Sequence, residues 1–219
     1  MKLQAIVFDF DGLIVNTERP GFISWSEIYA RFGQKLTLSD WKYATGYVGR
    51  FDPGLHLEKL LGRNLNWDEL GPERDRRNWE LTLAEPVLPG IAELFSSARA
   101  YWLRIGVASN SGGSWVPDGL DRLGLAHYVD VVTTADMVVN PKPAPDIYLK
   151  TLQTLGVSSE NAVALEDSEP GSRAAKAAGI KVVAIPNEFS AQQDLSVADL
   201  ILPSATELSV ERLNALVEG

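Results

Sequence analysis

Leu3-Gln4-Ala5-Ile6-Val7-Phe8-Asp9-Phe10-Asp11-Gly12 is the stretch that decides the fold. Its first half is a short, nearly unbroken apolar run, the pattern of a strand covered on both faces. The run ends in two carboxylates separated by one residue and followed by glycine. Side chains alternate along an extended chain, so Asp9 and Asp11 share one side with Phe10 on the other. An open α/β sheet binds its ligands beyond the carboxyl ends of its strands. Two carboxylates at such an edge repel each other unless a cation joins them or one keeps a proton. Taken alone, Asp11-Gly12 also reads as an ordinary turn.

The strand pattern recurs at 105–108, 129–133, 162–165 and 182–185, each short and rich in β-branched residues. Helical periodicities lie between these runs. Ile91, Leu94, Phe95, Ala98 and Trp102 keep helical spacing, 144–155 opens with Pro145 and Asp146 and closes at Gly156, and 172–178 stops at Gly179. Strand–helix alternation predicts an α/β fold built on a doubly wound parallel sheet. The stretch 18–85 breaks the rhythm: it holds helical stripes such as Phe22, Trp25, Ile28, Tyr29 and Phe32, and no convincing strand. It reads as a helical insertion after the first strand, giving an α/β core of 1–17 and 86–219 and an inserted helical domain of 18–85. The prolines and glycine of Glu85-Pro86-Val87-Leu88-Pro89-Gly90 mark the second boundary.

Charge and composition narrow the function. Lys and Arg total 20 against 29 Asp and Glu, a net charge of −9. Such a chain repels a phosphate backbone, and Arg74, Arg76 and Arg77 are interleaved with Glu73 and Asp75, so nucleic acid is not an expected partner. The absence of cysteine excludes disulfides, thiolate metal sites and a cysteine nucleophile. No apolar run approaches the ~20 residues that cross a bilayer, and the reading is of a cytoplasmic monomer.

Three other strand ends carry chemistry. The run 163–165 enters Glu166-Asp167-Ser168, a second acidic pair. A helix N-cap explains it alone; two acidic strand ends in one sheet also make an oxygen-rich site for a hard divalent cation, Mg²⁺ rather than Zn²⁺. The run 105–108 enters Ser109-Asn110-Ser111-Gly112-Gly113, an ordinary turn or a cradle of hydroxyl and N–H groups for an anion. Asn140-Pro141-Lys142-Pro143-Ala144-Pro145 holds one lysine on a stiff loop just before a helix.

With these four elements in order, the chain resembles the haloacid dehalogenase superfamily: Asp9-Phe10-Asp11-Gly12, Ser109 after Val107-Ala108, Lys142 in Lys-Pro-Ala-Pro-Asp, and Glu166-Asp167-Ser168. In detail it is similar to the β-phosphoglucomutase-like phosphatases, whose helical cap is inserted after the first motif. The resemblance implies Mg²⁺-dependent hydrolysis of a small phosphorylated metabolite, such as a sugar phosphate, through an aspartyl-phosphate. Asp9 is then the nucleophile and Asp11 the acid and base. Ser109, Asn110 and Lys142 contact the phosphoryl group. Asp9, the Asp11 carbonyl and Asp167 hold the metal, with Glu166 at or beside it. Two departures stand out. Asn16 replaces a usual Asp, with a structural role expected near the hinge, and Gly21 replaces the histidine that orders the acid/base in the mutase branch. Tyr43, Tyr47 and Arg50 are candidate cap contacts to substrate. Trp25, Tyr29, Trp41, Trp67 and Trp79 are read as cap core, and His56 and His127 as structural or exposed.

Overall fold

In a computed structural model of the chain, residues 2–41, 44 and 51–219 are described. The sheet is six-stranded and wholly parallel, in the order β3-β2-β1-β4-β5-β6. The strands are β1 (Ala5–Phe8), β2 (Arg104–Ser109), β3 (Val131–Thr134), β4 (Ala162–Glu166), β5 (Lys181–Ala184) and β6 (Leu200–Ile201). The first five are the predicted runs, shifted by no more than two residues at their ends. The two-residue β6 is too short to leave a periodic signal. Strand order reverses between β1 and β4: the chain passes from β1 to β2 on one side and from β4 to β5 on the other, and this is where such sheets bind ligands.

Alternation along β1 divides the core. Ile6 and Phe8 face one side and pack with Ile105, Val107, Val163 and Leu165 against helices α5 (Ile91–Ala100), α6 (Trp115–Arg122) and α9 (Val210–Glu218). Ala5 and Val7 face the other side, where Ala108, Ala162 and Ala164 meet α7 (Asp146–Leu155) and α8 (Glu169–Ala177). The small residues of that second face let α7 and α8 lie close to the sheet, which brings α7 under the strand ends. Helix α5 stops at Ala100. Trp102 therefore does not continue its apolar face: it sits past the end at φ 60° and is 92% exposed.

Between β1 and α5 the described residues form four helices, α1 (Glu18–Arg31), α2 (Leu38–Trp41), α3 (Pro53–Leu61) and α4 (Trp67–Ala84), and no strand. This is the small helical cap domain inserted after the first strand. Its apolar cluster contains Ile28, Tyr29, Leu36, Trp41 and Leu57, with Trp25 and Trp67 packed against it. It also takes Phe189 from the loop after β5, whose ring lies 5.5 Å from that of Phe22. Trp79 departs from the cap-core expectation. It projects from the polar helix α4, is half exposed, and meets Trp115 of the core. The linkers into and out of the cap run side by side: Val15 bridges Val87, and Leu88 N–H donates to the Ile14 carbonyl at 2.9 Å. No described helix is long and apolar enough to cross a membrane.

Candidate active site

Asp9 lies one residue past β1, and its N–H continues the ladder to the Leu165 carbonyl at 2.9 Å. That bond fixes it beside Glu166, the last residue of β4. Lys142 reaches the pair from the loop after β3. Its Nζ donates to Asp9 Oδ1 and Glu166 Oε1, both at 2.6 Å, and to the Ala108 carbonyl at 2.8 Å. All three ammonium donors are thereby used. Tyr148 of α7 donates its hydroxyl to the same Glu166 oxygen, and Ser168, which caps α8, donates to the other at 3.2 Å. The first turn of α8 lies directly on this carboxylate: a Cβ on Gly171 would stand 2.0 Å from Glu166 Oε2.

The charges here are buried and unbalanced. Asp9, Glu166 and Asp167 bring oxygens within 4.8 Å of one another. One ammonium against three carboxylates leaves an excess of two negative charges when all are ionised. Burial, reinforced by Glu166 and Asp11, pushes the Asp9 carboxyl up to about 8 despite Lys142. Burial and the charges of Asp9 and Glu166 raise Asp167 well above the usual carboxylate range. Burial would lower Lys142, but Asp9 and Glu166 outweigh it and keep the ammonium protonated above its ordinary range. Such a set calls for a further cation, and an all-oxygen donor set suits a hard one. Glu166 already has both oxygens engaged by Lys142, Tyr148 and Ser168, so it orients its neighbours, while Asp9 and Asp167 are the better direct ligands. Asp167 is itself oriented by Asn187, whose Nδ2 donates to Asp167 Oδ2 at 2.8 Å and to the Gly12 carbonyl at 3.1 Å. Gly12 adopts φ +86°, and a Cβ there would lie 2.3 Å from Asp167 Oδ2, so only glycine fits.

Asp11 is held differently. It accepts from Thr17 Oγ1 (2.9 Å) and Trp115 Nε1 (2.9 Å) on Oδ1, and from Ser109 Oγ (3.0 Å) and Ser111 Oγ (2.7 Å) on Oδ2. Asp9, Asp11, Ser109, Lys142 and Asp167 line one cavity of about 320 Å³, with Glu18 and Ala44 on the cap side. Asn110 also lines this cavity, and its side chain has a structural task. Its Oδ1 accepts from Lys142 N–H at 2.9 Å and its Nδ2 donates to the Lys142 carbonyl at 3.1 Å, so the side chain clamps the lysine loop. Arg50, Tyr43 and Tyr47 lie outside the described residues.

The sequence profile described as haloacid dehalogenase-like hydrolase matches residues 6–185. The chain belongs to the haloacid dehalogenase-like hydrolase family. It is 37% identical to the phosphatase YhcW of Bacillus subtilis, over 96% of each chain. It is 29% identical to a phosphorylated carbohydrates phosphatase of Thermotoga maritima, over 99% of each. A crystal structure of a CbbY mutant from Rhodobacter sphaeroides with xylulose-(1,5)bisphosphate superposes with a TM-score of 0.71 at 28% identity, over 94% of this chain and 96% of that one. Full-length relatives of this kind make the chain a phosphatase of the haloacid dehalogenase-like family.

Within that family the two departures have local explanations. Asn16 is buried and its Oδ1 accepts from Arg19 N–H at 3.1 Å, closing the first turn of α1 at the hinge. Gly21 faces the Trp41 ring, where a Cβ would stand 3.0 Å from Cζ2, so the space a histidine would need is filled. His56 Nδ1 pairs with the Tyr29 hydroxyl at 2.9 Å, and His127 stacks on Tyr128, both structural roles. Ser111 belongs to the hydroxyl loop that the sequence already points to, whereas Thr17, Trp115, Tyr148 and Asn187 go beyond the sequence reading. Ser111 and Asn187 follow strand ends and carry that positional signal; Trp115, Thr17 and Tyr148 carry none.

Proposed function

We infer that the chain hydrolyses the phosphate monoester of a small sugar phosphate, with Asp9 as nucleophile and Mg²⁺ as cofactor. The observation that carries this reading is Lys142, buried and bridging Asp9 to Glu166 beside Asp167, on the floor of the cavity whose wall is Asp11. Mg²⁺, when bound by Asp9, Asp167 and the Asp11 carbonyl, neutralises the like charges of carboxylate and phosphoryl group. Asp9 attacks phosphorus as the bond to the ester oxygen breaks, and Asp11 supplies the proton to the departing alcohol. Water then attacks the aspartyl-phosphate, Asp11 takes its proton, and inorganic phosphate leaves with Asp9 restored. Ser109 and Ser111 donate to phosphoryl oxygens. Lys142 offsets negative charge on Asp9 as the transferring group arrives. Residues 18–85 act as the cap over the cavity. The named activity of the Thermotoga relative and the sugar bisphosphate bound in the Rhodobacter structure support a phosphorylated sugar as the substrate class. Gly21 under Trp41 speaks against the mutase branch.

The test is phosphate release from a panel of phosphorylated metabolites with Mg²⁺ or EDTA, for wild type beside Asp9→Asn. Turnover is expected only with both Mg²⁺ and Asp9, and Asp9→Asn is expected to lose on the order of 10⁴-fold or more. Undiminished turnover by Asp9→Asn, or binding of sugar phosphates with no turnover at all, overturns the reading.

A further inference from the structure

The four hydrogen bonds on Asp11 divide by origin. Both donors to Oδ2, Ser109 and Ser111, come from the loop after β2. Both donors to Oδ1 connect to the cap. Thr17 immediately precedes α1, and the Trp115 ring packs on Trp79 of α4, with centroids 5.7 Å apart and planes at 54°. Helix α6 is tied to α4 at its other end as well, where Arg122 Nη1 donates to the carbonyls of Leu83 (3.3 Å) and Glu85 (3.0 Å). Between these two ties lies a mainly apolar cavity of about 280 Å³, lined by Phe10, Trp79, Leu83 and Trp115, so the helices meet at discrete contacts with space between. An indole N–H only donates and cannot turn without its ring, whereas a threonine hydroxyl rotates freely. The Oδ1 anchor with a fixed direction is therefore Trp115.

We propose that Trp115 is a positioning residue for Asp11, through which helix α4 of the cap sets the orientation of the acid/base carboxylate. The proposal rests on Asp11 acting as acid and base. A phosphoryl group that takes the Ser109 and Ser111 hydroxyls leaves Asp11 with its Oδ1 partners alone. Trp115 then governs where the proton is delivered, and Trp79 governs where Trp115 stands.

The test is kcat/KM for 4-nitrophenyl phosphate and phenyl phosphate with Mg²⁺. The two are similar in shape and differ in how much the leaving oxygen needs a proton. For Trp115→Phe, which keeps a ring for Trp79 and loses the N–H, the preference for the nitrophenyl ester is expected to rise about tenfold, part of the 10²–10⁴ that proton transfer contributes. Asp11→Asn is expected to raise it further, Trp79→Leu to raise it about threefold, and Trp79→Phe to keep it within about twofold of wild type. A merely structural Trp115 lowers both substrates equally, and an unchanged preference in Trp115→Phe overturns the proposal. If Asp11→Asn also leaves the preference unchanged, the acid/base reading falls with it; if Asp11→Asn shifts it and Trp115→Phe does not, only this proposal falls. A second readout needs no turnover: solvent exchange of the Trp115 indole proton, assigned by its loss in Trp115→Phe, is expected to quicken about tenfold in Asp11→Asn and measurably in Trp79→Leu. Equal exchange in wild type, Asp11→Asn and Trp79→Leu overturns it too.

Discussion

Asp9 and Asp11 stand two residues apart at the same strand end, yet they are held by opposite means. Asp9 lies on the dry side, with Lys142, Glu166, Tyr148 and Asp167 buried around it, and its partner is a full positive charge. Asp11 lies on the cleft side and is held by four neutral donors, two from the core loop and two linked to the cap. The ionic side has excess negative charge that a cation or retained protons offset. The neutral side is satisfied as it stands and can be rearranged by exchanging hydrogen bonds. Under the proposed mechanism, a nucleophile that must not move and an acid/base that must serve two steps need these different kinds of support.

The largest break in this contrast should come from Lys142→Met. It leaves the Asp9 and Glu166 carboxylates buried without their ammonium, an expected loss of about 3–5 kcal/mol in urea unfolding, together with activity. A loss well below that would mean the dry side is less dependent on its ion pair than its burial implies.

Second, the dry side should respond to pH and Mg²⁺ together. Asp9, raised to about 8 in the folded chain, binds more protons there than in the unfolded chain, where it returns to the ordinary carboxylate range. Without a divalent cation, stability therefore falls as pH rises from that range up to about 8. Protons and Mg²⁺ compete for the same oxygens, so the gain in Tm on adding Mg²⁺ should be larger at about pH 9 than at about pH 6. Thermal unfolding in EDTA and in Mg²⁺ at the two pH values checks it; an equal gain at both would place the cation elsewhere.

Smaller effects sharpen the comparison. Tyr148→Phe removes one donor from Glu166 while Lys142 and Ser168 remain, and should cost about 1–2 kcal/mol by denaturant midpoint. Ser111→Ala removes one of four neutral donors from the partly buried Asp11 and should cost about 0.5 kcal/mol or less, while lowering phosphatase activity at least tenfold through its place in the cradle. If Ser111→Ala proves as destabilising as Tyr148→Phe, the two sides are not held by different kinds of force.

The elements legible in the sequence are those whose signal is local. Parallel strands covered on both faces read as unbroken apolar runs, and five of the six were found that way. The acidic and hydroxyl-bearing residues at their ends announced the site because the sheet gathers its strand ends at one edge. What stayed hidden depends on packing between distant elements. Helix α6 is short and contains Pro117 and Gly119, and α9 follows an irregular loop, so neither gave a clear pattern. Tyr148 looks like a core aromatic until α7 is placed under Glu166. Trp79 looks like cap core until α4 is placed against α6. Trp102 keeps helical spacing in the sequence, and only the left-handed turn after Ala100 sends it outward.

The two linkers of the cap are paired with each other. Because Val15 pairs with Val87, the ends of the inserted segment leave the core side by side. Closing a chain between two adjacent points costs an entropy that grows only with the logarithm of its length. Insertions or exchanges within 18–84 therefore place almost no demand on the register of β1, and the cap can diversify while the strand end carrying Asp9 stays where it is. The fold behaves as a fixed chemical socket with an interchangeable fitting.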